Sequence, residues 1–555
     1  MRYWVLAALA WVGVTATSAA TAANVATAAN ATPLTPWAGA GLVAAPGGPS
    51  LTDALGRRLQ LHGVNLVAKC GGGAVDTTAP GRPCVGPARG PRLAFVLSPA
   101  ARDPGRRFTA RDAATLARLG FDVVRLGIIW QGLEPGPRGV GANDPRFCAA
   151  HAPGTPYPAL KSADPYNAAV LETYLRRTDR IVSLLADAGI RVILDMHQDA
   201  WGSAFANRDS PLPWNGEGAP PWATCTDGAQ AVLPPAWNAA YGVAPVEAAI
   251  HHFFANDVRS DLQGQFARVW RAVARHYRPD DDVVGYEVYN EPADFARAAT
   301  ADAELQCFYG GPVREPASCR ASGSQAPRGG VIGAIQSVDS RHVVFFEPQV
   351  TTDFGAAETI GITEPLRFDR VALAFHVYSP PTTTLALVAS EQARTQTRQP
   401  GGPPWIMDEF GASSDTASTA ETVAAAGLRN LSWSYWSGLQ LHDPTGGPLE
   451  ALLDEHTRRP DSAKAVALAV PYPAATAGTP GPEAYAPAAH VFRYRYRADH
   501  AITAPTAIVV PTVTYPLGYR VGARGARVTS APNAPVLALV AAPGARTVTV
   551  SVRPR

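Results

Sequence analysis

The chain carries no surplus of either charge: across 555 residues, 48 Lys and Arg stand against 46 Asp and Glu, a formal charge of +2. That balance gives no electrostatic ground for a nucleic-acid partner. Beyond the N-terminus the chain also lacks any uninterrupted run of the roughly 18 apolar residues that a membrane helix needs. Cysteine is sparse, six in all. No C-x-x-C unit or accompanying spaced histidines occur, which argues against a zinc site. No repeat of fixed period runs through the chain, so a repeat array is not indicated.

What is present begins with "MRYWVLAALAWVGVTATSAATAA": one Arg, an apolar run from Tyr3 to about Val14, then small residues with cleavage sites near Ala20 or Ala23. Residues 1–23 read as a signal peptide and the mature protein as soluble, exported and monomeric. Residues 24–45, rich in Ala and Thr without period, read as a lead-in. Export favours disulfides. Cys70 and Cys84 bracket one Gly/Pro-rich loop, Cys307 and Cys319 another, and Cys148 with Cys225 form the remaining pair. Six cysteines allow 15 connectivities, so this pairing is an expectation.

Residues 46–470 alternate apolar runs with helical patterns. The runs are "LQLHGVNL" (59–66), "FDVVRLGIIW" (121–130), "IRVILDMHQD" (190–199), "VVGYEVYNEP" (283–292), "HVVFFEP" (342–348), "VALAFHVYSP" (371–380), "PWIMDEFGA" (404–412) and "LSWSYWS" (431–437). Eight such runs predict a (β/α)8 TIM barrel. Thr109 is placed to cap a helix that stops at Gly120, and further helices end at Gly189 and precede strand four. The long connection at about 200–260 holds Trp201, Trp214, Trp222, Trp237, Phe253 and Phe254. Loops of that length are usually functional. Residues 471–555 change character to short β-branched runs separated by turns, a C-terminal all-β sandwich domain.

Most of the eight runs end in polar or aromatic groups: Arg125; Asp195, His197 and Asp199; Asn290 and Glu291; His376 and Tyr378; Glu409; Trp436. A single buried histidine is commonly a satisfied core group. So many groups converging on one mouth would cost desolvation for no return unless the mouth works. Two carboxylates across a barrel mouth suit glycoside cleavage, one protonating the leaving oxygen while the other attacks the sugar carbon or activates water. Asn290 is placed for the sugar 2-hydroxyl, Tyr378 and Arg125 to orient an ionised Glu409, His197 and His376 to line the subsite, and Trp436 to stack on the ring.

The ordered set Arg125, His197, "NEP" at 290–292, "HVY" at 376–378, "EFG" at 409–411 and Trp436 resembles glycoside hydrolase family 5. "LDMHQDAW" (194–201), "GAPPWAT" (218–224), "SYWS" (434–437), "PYPAATAGTP" and "AITAPTAIVVP" are similar to the secreted endoglycoceramidases, over roughly residues 55–515. The resemblance implies Glu291 as acid/base and Glu409 as nucleophile of a retaining reaction without metal or organic cofactor. It implies sugar contacts from Lys69, Asp195 and His197, and a lining position for Gln349. The implied substrate is a glycosphingolipid or other β-glycoside, with transient membrane-surface contact.

A ceramide leaving group needs an apolar trough, which the aromatics of the 200–260 insert would supply unless they merely pack that loop onto the barrel. "NEPADF" and the cysteine loops at 70–84 and 307–319 depart from the family pattern and leave glycan length open. An exo-acting glucosylceramidase-like relative and a polysaccharide hydrolase are the alternatives, and a silent sugar- or lipid-binding barrel is disfavoured by the intact glutamate pair.

Overall fold

The computed structural model describes residues 35–37, 41–44, 50–69, 96–101, 107–152, 155–160, 163–205, 216–229, 232–234, 237–294, 298–310, 329–354, 368, 370–378, 402–439, 450–454 and 456–555. The expected signal peptide and most of the lead-in lie outside these residues, as do Cys70, Cys84 and Cys319. Cys148 and Cys225 are joined, with a Cα separation of 5.3 Å, as expected. Cys307 is also disulfide-bonded.

In chain order, three short strands come first: β1 (Val43–Ala44), β2 (Leu51–Thr52) and β3 (Arg58–Leu59). The eight predicted barrel runs follow as β4 (His62–Leu66), β5 (Val123–Ile128), β6 (Arg191–Met196), β7 (Val283–Glu287), β8 (Val343–Phe346), β9 (Val371–Val377), β10 (Trp405–Phe410) and β11 (Ser432–Tyr435). They close into a parallel barrel, with β11 pairing β4 and β9 pairing β10. Every residue of these strands except Arg191 is buried, as the near-continuous apolar runs require of strands covered on both faces.

The helices between them stop where the sequence says. Thr109 and Asp112 form a capping box that opens helix Ala110–Arg118, and Gly120 then takes a φ of 91° before β5. Helix Ala168–Asp187 is capped by the Asn167 side chain, and helix Leu262–Tyr277 by Asp261.

After the barrel come β12 (Tyr472–Thr476), β13 (Gly478–Ala486), β14 (Val491–Ala498), β15 (Thr506–Val509), β16 (Tyr519–Arg524), β17 (Ala526–Val528), β18 (Val536–Ala541) and β19 (Thr547–Pro554). They build a sandwich, with one addition the sequence did not signal: β1, β2 and β3 join β12, β15, β18 and β17 in a seven-stranded sheet. Two-residue strands have no readable period, so the segment before the barrel passed for a lead-in and the barrel's own N-terminal edge. The second sheet runs β13-β14-β19-β16.

Alternation along β15 shows how the layers stack. Ala507 and Val509 pack with Leu59, Tyr472 and Ala474 against Val123, Val343 and Ile406, near the N-terminal ends of the barrel strands. Ile508 faces the other way, into a core with Tyr494, Tyr496, Val548 and Val550 of the second sheet. The seven-stranded sheet therefore seals the bottom of the barrel, and the four-stranded sheet forms the outermost layer beyond it.

Candidate active site

Arg125 projects inward from β5 and is fully buried. Its Nε donates to Glu287 Oε2 at 2.8 Å, Nη1 to Asn65 Oδ1 at 3.1 Å and to Glu409 Oε1, and Nη2 to Asn290 Oδ1 at 2.7 Å. Asp195, Glu347 and Asp408 stand 3.2 to 3.3 Å from the same guanidinium. One always-charged fork thus orients both the NEP asparagine and Glu409, which is what an arginine does better than a lysine. Adjacent strand residues normally point to opposite faces. A shift in pairing register between Met407 and Glu409 on β10 allows both Asp408 and Glu409 to reach Arg125.

Glu291 follows β7 in the left-handed region, φ 48°, a strained setting for a residue with a side chain and one that tends to mark functional positions. Its backbone N–H donates to Glu347 Oε2 at 2.9 Å, and Gln198 Nε2 holds the carbonyls of Asn290 and Glu291 at 3.0 and 3.2 Å. Glu409 accepts from Tyr378 Oη at 2.6 Å. At the end of β10 the glycine of "EFG" is required: Gly411 has φ 103°, and a Cβ there would meet the Tyr435 ring at 2.3 Å.

His376 lies between the two glutamates. Its Nδ1 is 2.9 Å from Glu291 Oε1, and 3.6 Å from both Glu409 Oε2 and Asp353 Oδ2, while Nε2 faces Glu347 and Asp408 at 3.5 and 3.7 Å. Burial opposes a charge on this ring, but Glu347, Glu409 and Asp353 outweigh it and raise its pKa well above the usual imidazole value. Burial pushes Asp195, Glu347, Asp353 and Asp408 well above the usual carboxylate range. Glu287 goes the other way: burial works against its charge, but Arg125 holds it well below. Glu409 is raised by burial and pulled back by His376 and Arg125.

The cavity above this floor measures about 330 Å³, within the range of small-ligand sites. Lys69, His197, Asn290, Glu291, Tyr378, Glu409 and Trp436 line it. Lys69 pairs with Asp199, stands 3.3 Å from Glu217 and lies 4.5 Å from the Trp436 ring centre. Burial works against the charge of Asp199, but Lys69 holds it below the usual range. His197 stacks on Trp436, and burial, with the Lys69 charge, lowers its pKa to about 4, so the ring is neutral.

Two expectations need correction. Asp195 does not line the cavity: it is wholly buried beneath it, hydrogen-bonded to His197 Nδ1 at 2.8 Å and facing Arg125, and the Asp that reaches the cavity is Asp199. An antiparallel bridge between Asp199 and Glu217 turns the chain into the mouth just past β6. Gln349 is likewise buried outside the cavity wall, its Oε1 accepting from Asp294 N at 3.3 Å. Arg125 and His376, though central, act from below that wall.

Of the two roles left open for the aromatics of the insert, a trough or packing of the loop, the second holds. Trp201, Trp222, Phe253 and Phe254 are buried and pack on one another and on Trp130, Phe266 and Tyr289. They fasten the insert to the barrel. Trp214 and the side chain of Trp237 lie outside the described residues. The insert reaches the cavity instead through Asn238 and Tyr241, of which Tyr241 Oη accepts from Gln198 at 3.1 Å.

Sequence reasoning also passed over Glu287, Glu347, Asp353, Asp408 and Glu450, the last accepting from Trp436 Nε1 at 3.1 Å. A carboxylate inside an otherwise apolar strand run was the available signal for Glu287 and Asp408. Glu287, Glu347, His376 and Asp408 each bring a ligand atom within 4.8 Å of the others. The guanidinium of Arg125 already supplies positive charge among them.

Residues 104–440 match the model described as "Cellulase (glycosyl hydrolase family 5)", and residues 471–552 the "Glycoside hydrolase family 5 C-terminal domain". Endoglycoceramidase I of Rhodococcus hoagii (strain 103S) is 27% identical over 523 residues, 91% of this chain and 87% of that one. The structure of endo-glycoceramidase II from Rhodococcus sp. in complex with ganglioside GM3 superposes with a TM-score of 0.64 at 25% identity, covering 92% of this chain and 100% of that one. Sterylglucosidase 1 of Cryptococcus neoformans, TM-score 0.65 at 16% identity over 94% and 98% of the two chains, shares the fold. With the barrel and the terminal β-domain both matched, the chain belongs to glycoside hydrolase family 5.

Proposed function

We propose that the protein is a retaining β-glycosidase that hydrolyses the bond between the glycan and the ceramide of glycosphingolipids. The observation that carries the chemistry is one imidazole nitrogen shared by two carboxylates: His376 Nδ1 lies 2.9 Å from Glu291 and 3.6 Å from Glu409. Retaining pairs stand roughly 5–5.5 Å apart, whereas inverting pairs leave roughly 6.5–9.5 Å for a water. A shared nitrogen at these distances favours the closer spacing. The glycosphingolipid substrate rests on the endoglycoceramidase relatives, one of which is described in complex with a ganglioside.

In this reading Glu409 attacks the anomeric carbon as the bond to the ceramide oxygen breaks, and Glu291 gives that oxygen its proton. Arg125 and Tyr378 hold Glu409 aligned for attack. Water then attacks the glycosyl–Glu409 ester, Glu291 taking its proton, and free glycan leaves. Asn290 donates one amide hydrogen to Gln198 O at 3.0 Å and has a second for the sugar 2-hydroxyl. Lys69, Asp199, Glu450 and Trp436 offer hydroxyl partners and a ring face to the sugar, and Tyr241, Val350 and Ala412 a less polar wall.

Incubation with lactosylceramide, glucosylceramide and a soluble β-glucan, with products identified by mass, tests this. Intact lactose with ceramide is the expected result. Release from glucosylceramide alone would make the enzyme exo-acting, and turnover of the glucan alone would overturn the glycolipid reading.

A further inference from the structure

The terminal segment differs in charge from the rest of the chain. Residues 471–555 contain nine arginines, no lysine and two carboxylates, while the remaining 470 residues hold 39 basic and 44 acidic side chains. One of the two carboxylates, Glu483, is buried.

Alternation then sorts these arginines. On β14 the tyrosines Tyr494 and Tyr496 point into the sandwich core, so Arg493, Arg495 and Arg497 all point outward, about 7 Å apart along the strand. Pairing places Arg495 and Arg524 on either side of Thr549, Arg493 beside Ser551, and Arg520 directly opposite Arg553. All six arginines are exposed, no carboxylate stands on β14, β16 or β19, and none of the six pairs with an acidic side chain among the described residues. Like charges facing each other across strands destabilise a sheet. The arrangement therefore costs the fold something, and packing does not repay it.

A further feature lies on the same face. A shallow groove of about 570 Å³ runs between Arg493, Arg495 and Arg524 over Gly522 and Ser551. Its rim carries Leu428, 65% exposed at the end of helix Thr416–Gly427, and the buried Glu483 also borders it.

We propose that the outer face of the four-stranded sheet is a docking surface for an anionic phospholipid bilayer. Cations spread over three strands suit a planar array of phosphates better than a single polymer chain. The exposed Leu428 beside them adds the shallow apolar insertion that interfacial binding uses. The face is the outermost layer beyond the sealed bottom of the barrel, so a docked molecule presents its mouth away from that bilayer. This inference is independent of the catalytic reading.

Co-sedimentation of the full-length protein with phosphatidylcholine vesicles, with and without roughly one-third phosphatidylserine, tests it at low and high salt. Binding to the anionic vesicles alone, weakened by salt, is expected. The triple substitution R493S/R495S/R524S should weaken it roughly a hundredfold, while R493K/R495K/R524K retains it. Turnover of a soluble aryl β-glycoside should be equal in the serine variant and in vesicle-bound protein. Equal binding to both vesicle types would overturn the proposal. So would undiminished binding by the serine variant, or capture by soluble polyphosphate without pelleting on vesicles.

Discussion

The two ends of the barrel are built from the same strands and behave as opposite materials. A step of two positions along a strand leads from one to the other: Val123 to Arg125, Ile193 to Asp195, Phe345 to Glu347, Ala374 to His376, Ile406 to Asp408. The lower layer is apolar and covered by the seven-stranded sheet. The upper layer is a buried array of ionisable groups that only their mutual pairing makes tolerable. Stability is concentrated in one layer and chemistry in the next, so each can be altered with little effect on the other.

Glu409→Gln is the strongest way to break the comparison. Loss of the nucleophile should lower kcat roughly 10⁴-fold or more. Because burial raises the Glu409 pKa, the site disfavours its charged form, and the thermal midpoint should hold or rise. A large fall in the midpoint with activity retained would mean the upper layer serves the fold.

Phe345→Ala is the mirror experiment. Phe345 is buried in the lower layer, and its truncation should cost about 3–5 kcal/mol in denaturant unfolding. Turnover by the folded enzyme should stay near the parent value. A kcat drop comparable to that of Glu409→Gln would show the two layers to be coupled.

Asp122→Asn sharpens the picture by a smaller amount. Asp122 sits at the bottom, accepting from Trp37 Nε1 at 2.9 Å and His62 N at 3.0 Å, and burial raises its pKa to about 7. An acid raised in the folded state keeps its proton while the unfolded chain gives one up. Its contribution is therefore full below about pH 4 and lost as pH climbs to about 7. Asn should flatten that decline, by about 4 kcal/mol at most over the interval, in unfolding measured at several pH values. Unchanged slopes would mean the carboxylate is ionised and the bottom less dry than its contacts imply.

The eight barrel strands were legible because a strand covered on both faces must be apolar along its length, and the capped helices because caps need particular side chains. Glu291 and Glu409 were legible through their company at successive strand ends. Asp195 and Asp199 could not be told apart, since both fall in the run read as strand three, and only the bridge to Glu217 carries one into the mouth. Gln349 failed for a similar reason: position after a strand does not fix which way a side chain turns. The tryptophans of the insert were ambiguous because core and binding site draw on the same residues.

By itself the sequence determined the barrel and the terminal β-structure, since each is written in local periodicity; it offered the Cys148–Cys225 pairing as one of 15 connectivities and Glu291 and Glu409 as candidates. Only the tertiary structure decided that strands before the barrel complete the sheet beneath it, that His376 bridges the glutamates over a floor of buried carboxyls, and that six arginines share one outer face. These depend on contacts between residues far apart in the chain, which no local pattern records.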